Sequence, residues 1–326
     1  MGERVLVTGA TGFVGSFLVE ELLQRGYDVC ALVRESSDLR WLEGKKVTYI
    51  YGDLHGKNKL PPLCGVDHIL HLAGATRAVH SKDYYRINLE GTERLLDAAG
   101  DIKGLKRFVF LSSQAAAGPS PNDRPQTEGD MPRPVSPYGK SKLLAEEAVL
   151  NAGDKLHVTI LRPCSIYGPR DTYMLELFKS ISKGFMPSPA KRPYHLSLCY
   201  VNDIVQAILL SVQQDHPSGE VFFIADGEKY SLDFFADMVS STLRVKLHKI
   251  NFPIWAAWFY ATMADAWGVI TKRPAFFSRN KCAEACQKNW VCDIGKAKTE
   301  LGFRPGFFLE TGLNVTLQWY IKEGWL

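Results

Sequence analysis

RVLVTGATGFVG, residues 4–15, is a short apolar run followed by three glycines. The apolar run indicates a buried strand of a parallel sheet, because such strands are covered on both faces. Residues 17–25 then show a helical pattern, and residues 29–33 form a second apolar run. In this context the glycine turn predicts a site for a dinucleotide pyrophosphate, which the free N–H groups of the helix N-terminus would bind. The alternative is an ordinary tight turn.

The end of the second strand predicts which dinucleotide binds. Asp or Glu at this position holds the ribose hydroxyls of NAD. Here Val33 is followed by Arg34, with Ser37 nearby, and a cation with hydroxyls suits the 2′-phosphate of NADP. We therefore expect NADP, with NAD as the alternative because Glu35 could turn inward. A solvated arginine at a strand end is the other interpretation of Arg34.

Strand and helix patterns alternate through the first half of the chain. Further apolar runs lie at residues 47–50, 68–74, 107–111 and 157–161. This alternation predicts an α/β fold, namely a Rossmann-type doubly wound parallel sheet. Beyond residue 168 the pattern predicts a smaller, interleaved, mostly helical C-terminal substrate lobe. We expect residues 1–167, joined by 196–226, to form the dinucleotide-binding domain, and residues 168–195 and 227–326 to form the lobe.

Small and polar residues follow several predicted strands, at the sheet edge where ligands of such sheets bind. Asp53 could hydrogen-bond an adenine amino group, or it could cap a helix. Ala73 and Gly74 leave room beside a dinucleotide, and Ser113 follows the fifth strand. We expect all four to face the same site.

Tyr138 and Lys142 lie four residues apart in a predicted helix and therefore share one face. A nearby ammonium favours the phenolate, so we expect Lys142 to lower the pKa of Tyr138 toward the operating pH of an acid–base catalyst. Ser113 could hold the substrate oxygen for this proton transfer. An exposed pair on a helix surface is the alternative.

These motifs together resemble those of the extended short-chain dehydrogenases/reductases, in the NAD-dependent epimerase/dehydratase superfamily. The resemblance covers nearly the whole chain. It rests on TGATGFVG at 8–15, GDL at 52–54, HLAG at 71–74, Asn88 with GT at 91–92, LSS at 111–113, Tyr138 with Lys142, LRP at 161–163, YGPR at 167–170 and YVND at 200–203.

The resemblance implies a catalytic triad of Ser113, Tyr138 and Lys142, with hydride transfer at a substrate carbon that bears oxygen. It also implies that Lys142 binds the nicotinamide ribose, that Pro163 packs near the nicotinamide, and that the protein is a homodimer. The residues expected to bind the cofactor are Gly9, Thr11, Gly12, Phe13, Val14, Gly15, Arg34, Ser37, Asp53, Leu54, Leu72, Ala73, Gly74, Tyr138, Lys142, Pro163 and Ser165.

The substrate is predicted less directly. Many nucleotide-sugar enzymes have an Asn at the position of Ser165 and an arginine at the position of Leu196 and Ser197. This chain has neither, which argues against a diphosphate-sugar substrate. The Trp-rich stretch at residues 252–270 and residues 290–305 are similar to the corresponding parts of the 3β-hydroxysteroid dehydrogenase-like and hopanoid-associated sugar epimerase-like branches. Arg34 resembles the arginine of the NADP-using dihydroflavonol reductase-like members. We expect a secondary alcohol or ketone on a bulky, partly apolar small molecule. The alternatives are a nucleotide-sugar 4-epimerase or dehydratase with tightly bound NAD(P), and a non-catalytic dinucleotide-binding regulator.

Charge and cysteine content argue against several other classes of protein. The net charge of +4, without a run of Lys or Arg, argues against nucleic acid as a partner. Seven scattered cysteines predict reduced thiols and a cytoplasmic protein, and the spacing of Cys282, Cys286 and Cys292 predicts no metal site. Because a strand pattern starts within a few residues of Met1, we expect no signal peptide.

The Trp-rich stretch at residues 252–270 is the most apolar of the chain. We expect a core or substrate-covering helix there, with peripheral membrane contact as the alternative and no spanning segment. Loop residues expected to contact the substrate are Arg77, His80, Lys191, Arg192 and Tyr194.

Overall fold

The computed structural model describes residues 2–56, 58–121, 124–189 and 194–326. Its strands are β1 (Arg4–Thr8), β2 (Asp28–Val33), β3 (Thr48–Tyr51), β4 (His68–His71), β5 (Arg107–Leu111), β6 (Val158–Pro163), β7 (Ser165–Tyr167), β8 (Phe185–Pro189), β9 (His195–Leu196), β10 (Leu198–Tyr200), β11 (Glu220–Ile224), β12 (Tyr230–Ser231), β13 (His248–Phe252) and β14 (Asn289–Trp290). Its helices are α1 (Phe13–Gln24), α2 (Ser81–Tyr84), α3 (Gly91–Gly100), α4 (Gln114–Ala117), α5 (Pro137–Asn151), α6 (Leu175–Ser182), α7 (Val201–Gln213), α8 (Leu232–Leu243), α9 (Ile254–Thr271), α10 (Arg279–Ala285), α11 (Gly295–Glu300) and α12 (Leu309–Lys322), with a π-helical segment, Tyr85–Glu90, between α2 and α3.

Within the described ranges, seven strands form one sheet in the order β11-β6-β5-β4-β1-β2-β3. Every neighbouring pair is parallel. The predicted Rossmann-type doubly wound sheet is therefore confirmed. The strand order reverses at β1, where Thr8 lies between Leu32 of β2 and His71 of β4. Open parallel sheets bind ligands at this point, outside the carboxyl ends of the strands.

Helices cover both faces of the sheet. Val5 and Val7 pack with residues of α1 and α7, whereas Leu6 packs with Leu95 of α3 and Val149 of α5. Successive side chains of a strand point to opposite faces, so one apolar run supplies both cores. This two-sided burial explains why the strands contain continuous apolar runs instead of alternating ones.

The chain after β7 builds a smaller lobe with its own apolar cluster. Phe178 of α6, Phe235 of α8 and Tyr320 of α12 are all fully buried in it. Short strands that we did not predict, β8 and β13 among them, accompany the helices. Residues 220–224 return to the main sheet, where β11 pairs with β6. The boundaries of the two domains remain predictions.

Helix α9 differs from the core helix that composition favours. Its buried residues are the small Ala257, Ala261 and Gly268, whereas Trp255 and Ile270 are each 72% exposed. It packs against α10 through the small residues and leaves the large ones on the outside. The core interpretation is therefore wrong. None of the described helices is long and apolar enough to cross a membrane.

Candidate active site

The glycine turn forms a tight cradle between β1 and α1. Gly9 has a φ of +71°, and a Cβ there would lie 2.8 Å from the backbone nitrogen of Ala73. A Cβ on Gly15 would overlap the carbonyl oxygen of Gly9 and lie 2.8 Å from the Cα of Ala10. Gly12 caps α1 without a side-chain hydrogen bond. The N–H groups of the first helical turn therefore keep their capacity to bind an anion.

The adenosine side of the predicted site lies beyond β2 and β3. Arg34 is exposed, and the turn that holds it is closed by a hydrogen bond of 3.0 Å from its N–H to Ser37 Oγ. Asp53 is also exposed and accepts a hydrogen bond of 2.9 Å from the N–H of His55. Burial lowers the pKa of His55, Asp53 opposes this shift, and Arg34 contributes to it. Arg34 and Asp53 thus lie around the same histidine.

The end of β4 carries the small residues that we expected beside a dinucleotide. Leu72 and Ala73 are half-buried, and Gly74 is exposed. A Cβ on Gly74 would lie 3.1 Å from Asn88 Oδ1 and 3.9 Å from Lys142 Nζ. The structure thus brings Gly74 next to the proposed catalytic lysine.

Ser113 and Tyr138 meet at the carboxyl edge of the sheet. Ser113 caps α4, where its Oγ accepts a hydrogen bond of 3.1 Å from the N–H of Ala115. Burial raises the pKa of the half-buried Tyr138 to about 12, although its hydrogen bond with Ser113 and the charge of Lys281 act in the opposite direction. The phenol therefore stays protonated at neutral pH.

Lys142 contacts the end of β5. Its Nζ donates a hydrogen bond of 2.8 Å to the carbonyl oxygen of Leu111 and lies 4.0 Å from the ring centroid of Phe110. Burial lowers the pKa of Lys142 to about 7, against the influence of Glu146. Burial is the largest influence on the pKa of Tyr138, and the cation that lowers this pKa is Lys281; a lowering by Lys142 stays a prediction.

A buried ion pair that we did not predict fixes α5 to the sheet. Arg162 at the end of β6 donates to both carboxylate oxygens of Glu146, at 2.6 Å from Nη2 to Oε2 and 3.0 Å from Nε to Oε1. Ser112 Oγ donates to the same carboxylate. The spacing of Glu146, one turn after Lys142, is the signal in the sequence that could have indicated it.

Asn88 connects the loop after β4 to α5. Its Oδ1 accepts a hydrogen bond of 2.8 Å from the N–H of Ala75, and its Nδ2 donates to Ser141 Oγ at 2.9 Å. It lies in the π-helical segment that separates α2 from α3. Such π-helical turns are frequent at functional sites.

Helix α10 approaches the site from the C-terminal lobe, and no motif predicted it. Lys281 Nζ lies 5.9 Å from the ring centroid of Tyr138 and donates a hydrogen bond of 2.8 Å to Glu284 Oε2. Ser136 Oγ donates to Glu284 Oε1 at 2.7 Å. The helix is thus bound to the first turn of α5, directly beside the tyrosine.

Aromatic rings line the same side of the site. The ring centroids of Tyr84 and Tyr138 are 6.0 Å apart, as are those of Tyr173 and Phe276. The guanidinium of Arg77 lies 4.8 Å from the ring centroid of Tyr173 and 5.0 Å from that of Phe276. These contacts form a wall that is largely apolar and has a cation in it.

Other residues that we predicted to bind cofactor or substrate differ in their exposure to solvent. Pro163 is buried at the end of β6, and Ser165 is exposed at the start of β7. Tyr194 is half-buried and His80 is exposed. Lys191 and Arg192 lie outside the described residues.

Comparisons with known proteins agree with this geometry. The model of the NAD dependent epimerase/dehydratase family matches residues 5–225 of the chain. A relative from Stigmatella aurantiaca, 4-hydroxy-2-methyl-3-oxo-4-farnesyl-3,4-dihydroquinoline-1-oxide ketoreductase, is 29% identical over 97% of this chain and 96% of its own length. The decarboxylating sterol-4-alpha-carboxylate 3-dehydrogenase of Mus musculus is 26% identical over 97% of this chain and 90% of its own length.

A solved structure has a similar fold over nearly the whole chain. MoeE5 in complex with UDP-glucuronic acid and NAD has a TM-score of 0.79 and 25% identity, covering 98% of this chain and 99% of its own. The proteins named here therefore include a ketoreductase of a farnesyl-dihydroquinoline oxide, a sterol-4-alpha-carboxylate dehydrogenase and a protein in complex with a nucleotide sugar.

Proposed function

We propose that this chain, which belongs to the NAD dependent epimerase/dehydratase family, interconverts a secondary alcohol and a ketone on a bulky, partly apolar substrate. The family makes it an NAD(P)-dependent enzyme. The observation that carries the proposal is the position of Tyr138. Its half-buried phenol lies at the carboxyl edge of the sheet close enough to Ser113 for this side chain to lower its pKa, and aromatic rings line the adjacent wall.

The sheet edge fits a nicotinamide dinucleotide. Gly9 and Gly15 leave no space for a Cβ, and the uncapped first turn of α1 offers N–H groups to a pyrophosphate. Leu72, Ala73 and Gly74 would lie beside the cofactor, and Lys142 would bind its ribose. When bound, the dinucleotide supplies or accepts the hydride.

Tyr138 moves the proton at the substrate oxygen. In the reductive direction its phenol, with a pKa of about 12, donates a proton to the oxygen of the former ketone. In the oxidative direction the phenolate must form first, so this direction becomes faster as the pH rises. Ser113 holds the same oxygen within reach of the phenol, which is the role of a positioned hydrogen-bond donor.

We propose NADP as the preferred cofactor, with NAD as the alternative. The support is the exposed Arg34 directly after β2, together with Ser37 in the same turn. A guanidinium can bind phosphate through two parallel hydrogen bonds. The second candidate function is a nucleotide-sugar 4-epimerase or dehydratase, which the similarity to MoeE5 favours.

Replacing Tyr138 tests the function directly. Tyr138→Phe should lower kcat for a farnesylated or steroid ketone by roughly 10²- to 10⁴-fold, the range of general acid–base catalysis. Its cofactor affinity, measured by calorimetry, should stay within about twofold of wild type, because the ring remains and only the hydroxyl is lost.

The matched control is Tyr84→Phe, which makes the same chemical change in a buried tyrosine whose ring lies 6.0 Å from that of Tyr138. This variant should retain most of its activity. A Tyr138→Phe enzyme as active as the control would remove the acid–base assignment.

A further inference from the structure

The outer surface of α9 carries a continuous row of large apolar side chains. Trp255, Phe259, Met263, Trp267 and Ile270 are spaced by three or four residues and therefore lie on one face of the helix. Each of them is between 56% and 72% exposed. We call these five residues the apolar stripe.

The opposite face of α9 already has its partner. Ala257 and Ala261 are buried there against Cys282 of α10. The helix contains a single charged residue, Asp265, whose Oδ2 lies 2.9 Å from Nε of Arg279. The apolar stripe is thus free of charge, and such exposed apolar patches mark interaction surfaces.

Cations follow the apolar stripe directly. Lys272 ends α9 in a left-handed conformation with φ of 55°, and Arg273 comes next. Both side chains are exposed, and neither forms an ion pair with a described residue. Tryptophan on an apolar helix face with lysine or arginine beside it is the pattern of helices that lie in the interface of an anionic bilayer.

We propose that α9 docks on an anionic lipid surface, with the apolar stripe in the headgroup–acyl boundary and Lys272 and Arg273 at the lipid phosphates. The helix lies on the bilayer, because none of the described helices is long and apolar enough to span it. The occupant is lipid and not a second copy of the chain. The exposed Lys272 and Arg273 beside the apolar stripe complement anionic headgroups, whereas in a symmetric dimer through the same stripe these cations would gain no acidic partner from α9, whose single carboxylate already pairs with Arg279.

The docked helix would lie one layer from the active site. Helix α9 packs on α10, and Lys281 of α10 is 5.9 Å from the ring of Tyr138. Docking would therefore hold the active site close to the bilayer surface, where an apolar substrate is concentrated. This last step rests on the proposed function, whereas docking itself does not.

Vesicle sedimentation of the full chain tests the docking. Wild type should sediment with vesicles of phosphatidylcholine and phosphatidylglycerol. Phe259→Ser with Trp267→Ser should weaken this partitioning at least about tenfold, since each change removes a large apolar group from the lipid boundary. Lys272→Ala with Arg273→Ala should weaken it by roughly 25-fold on anionic vesicles and little on pure phosphatidylcholine, at about 1 kcal/mol for each cation.

The matched control is Met131→Ser with Ile321→Ser, which removes two apolar side chains that are 75% and 56% exposed elsewhere. Unchanged melting temperatures should show that all variants fold. The proposal is overturned if wild type stays in the supernatant, or if the stripe variant binds vesicles as well as the control does. It is also overturned if the stripe variant converts a dimer into a monomer in sedimentation velocity while its vesicle binding is unchanged. None of these measurements depends on catalytic activity, so a negative result would contradict the docking without contradicting the proposed reaction.

Discussion

Burial shifts the pKa values of Tyr138 and Lys142 in opposite directions, to about 12 and to about 7. Both shifts disfavour the charged form of the side chain, as desolvation does. Oppositely shifted groups at one cleft are typical of catalytic sites. The sequence could place these two residues on one helix face. It could not show that Leu111 and Phe110 would bind the ammonium, because that contact depends on how α5 packs on β5.

The buried ammonium of Lys142 opposes folding. Its pKa in the folded protein, about 7, is below the ordinary lysine value of 10.5. Between these two pH values the unfolded chain binds the extra proton, so this destabilisation is complete below pH 7 and disappears as the pH rises toward 10.5. Because the Lys142 ammonium lowers the free energy of unfolding, we infer that this residue serves the function of the site and not the stability of the fold.

Arg34 decides the cofactor in our proposal, and its replacement should affect the two dinucleotides differently. Arg34→Ala should weaken NADP about tenfold or more, because a charge-assisted hydrogen bond contributes about 1.5–3 kcal/mol. NAD, which lacks the 2′-phosphate, should change by less than about twofold. Calorimetric titration of both cofactors provides the comparison.

Arg25→Ala is the matched control for this change, since Arg25 is an exposed arginine directly after α1 that pairs with Glu21 at 2.7 Å. It should leave both affinities unchanged. Equal losses of NADP and NAD in Arg34→Ala would contradict a role in binding the 2′-phosphate.

At the scale of elements, the turn between β1 and α1 makes the sharpest prediction. Gly15→Ala should reduce dinucleotide binding to below detection in calorimetry and should lower the melting temperature, because the added Cβ would overlap the backbone of Gly9. The strain could be relieved only if α1 moved away from the turn whose N–H groups bind the pyrophosphate in our proposal.

Gly100→Ala is a control with the same chemical change. Gly100 ends α3, and no heavy atom lies within 4 Å of a Cβ placed there. Alanine favours helix over glycine by up to about 1 kcal/mol, so this variant should be as stable as wild type or slightly more stable. Normal cofactor binding by Gly15→Ala would show that the turn tolerates the methyl group.

The sequence predicted the elements whose signals are local. The unit β1–α1–β2 combines apolar runs, a helical pattern and glycines within about thirty residues, so each part supports the others. The π-helical segment around Asn88 has no such signal, since it depends on hydrogen bonds with Ala75 and Ser141. Helix α9 was misjudged as core because composition does not tell which face its neighbour α10 covers.

At the scale of the whole molecule, the proposed active site combines residues from distant parts of the chain. The sheet carries the glycine turn, Ser113 and the helix of Tyr138, and α10 near the C-terminus brings Lys281 to 5.9 Å from the Tyr138 ring. The first part was predictable from motifs. The second was not, because Lys281 is 143 positions from Tyr138 in the chain (281 − 138) and no motif connects them.

The central claim is net redox chemistry on an apolar ketone. The most direct test follows nicotinamide absorbance and product together, with the purified enzyme, NADPH and a farnesylated or steroid ketone, and with UDP-glucose in a parallel reaction. We predict that one NADPH is oxidised for each ketone reduced and that UDP-glucose remains unchanged. Conversion of UDP-glucose to its 4-epimer without any change in nicotinamide absorbance, together with no reduction of either ketone, would contradict the account.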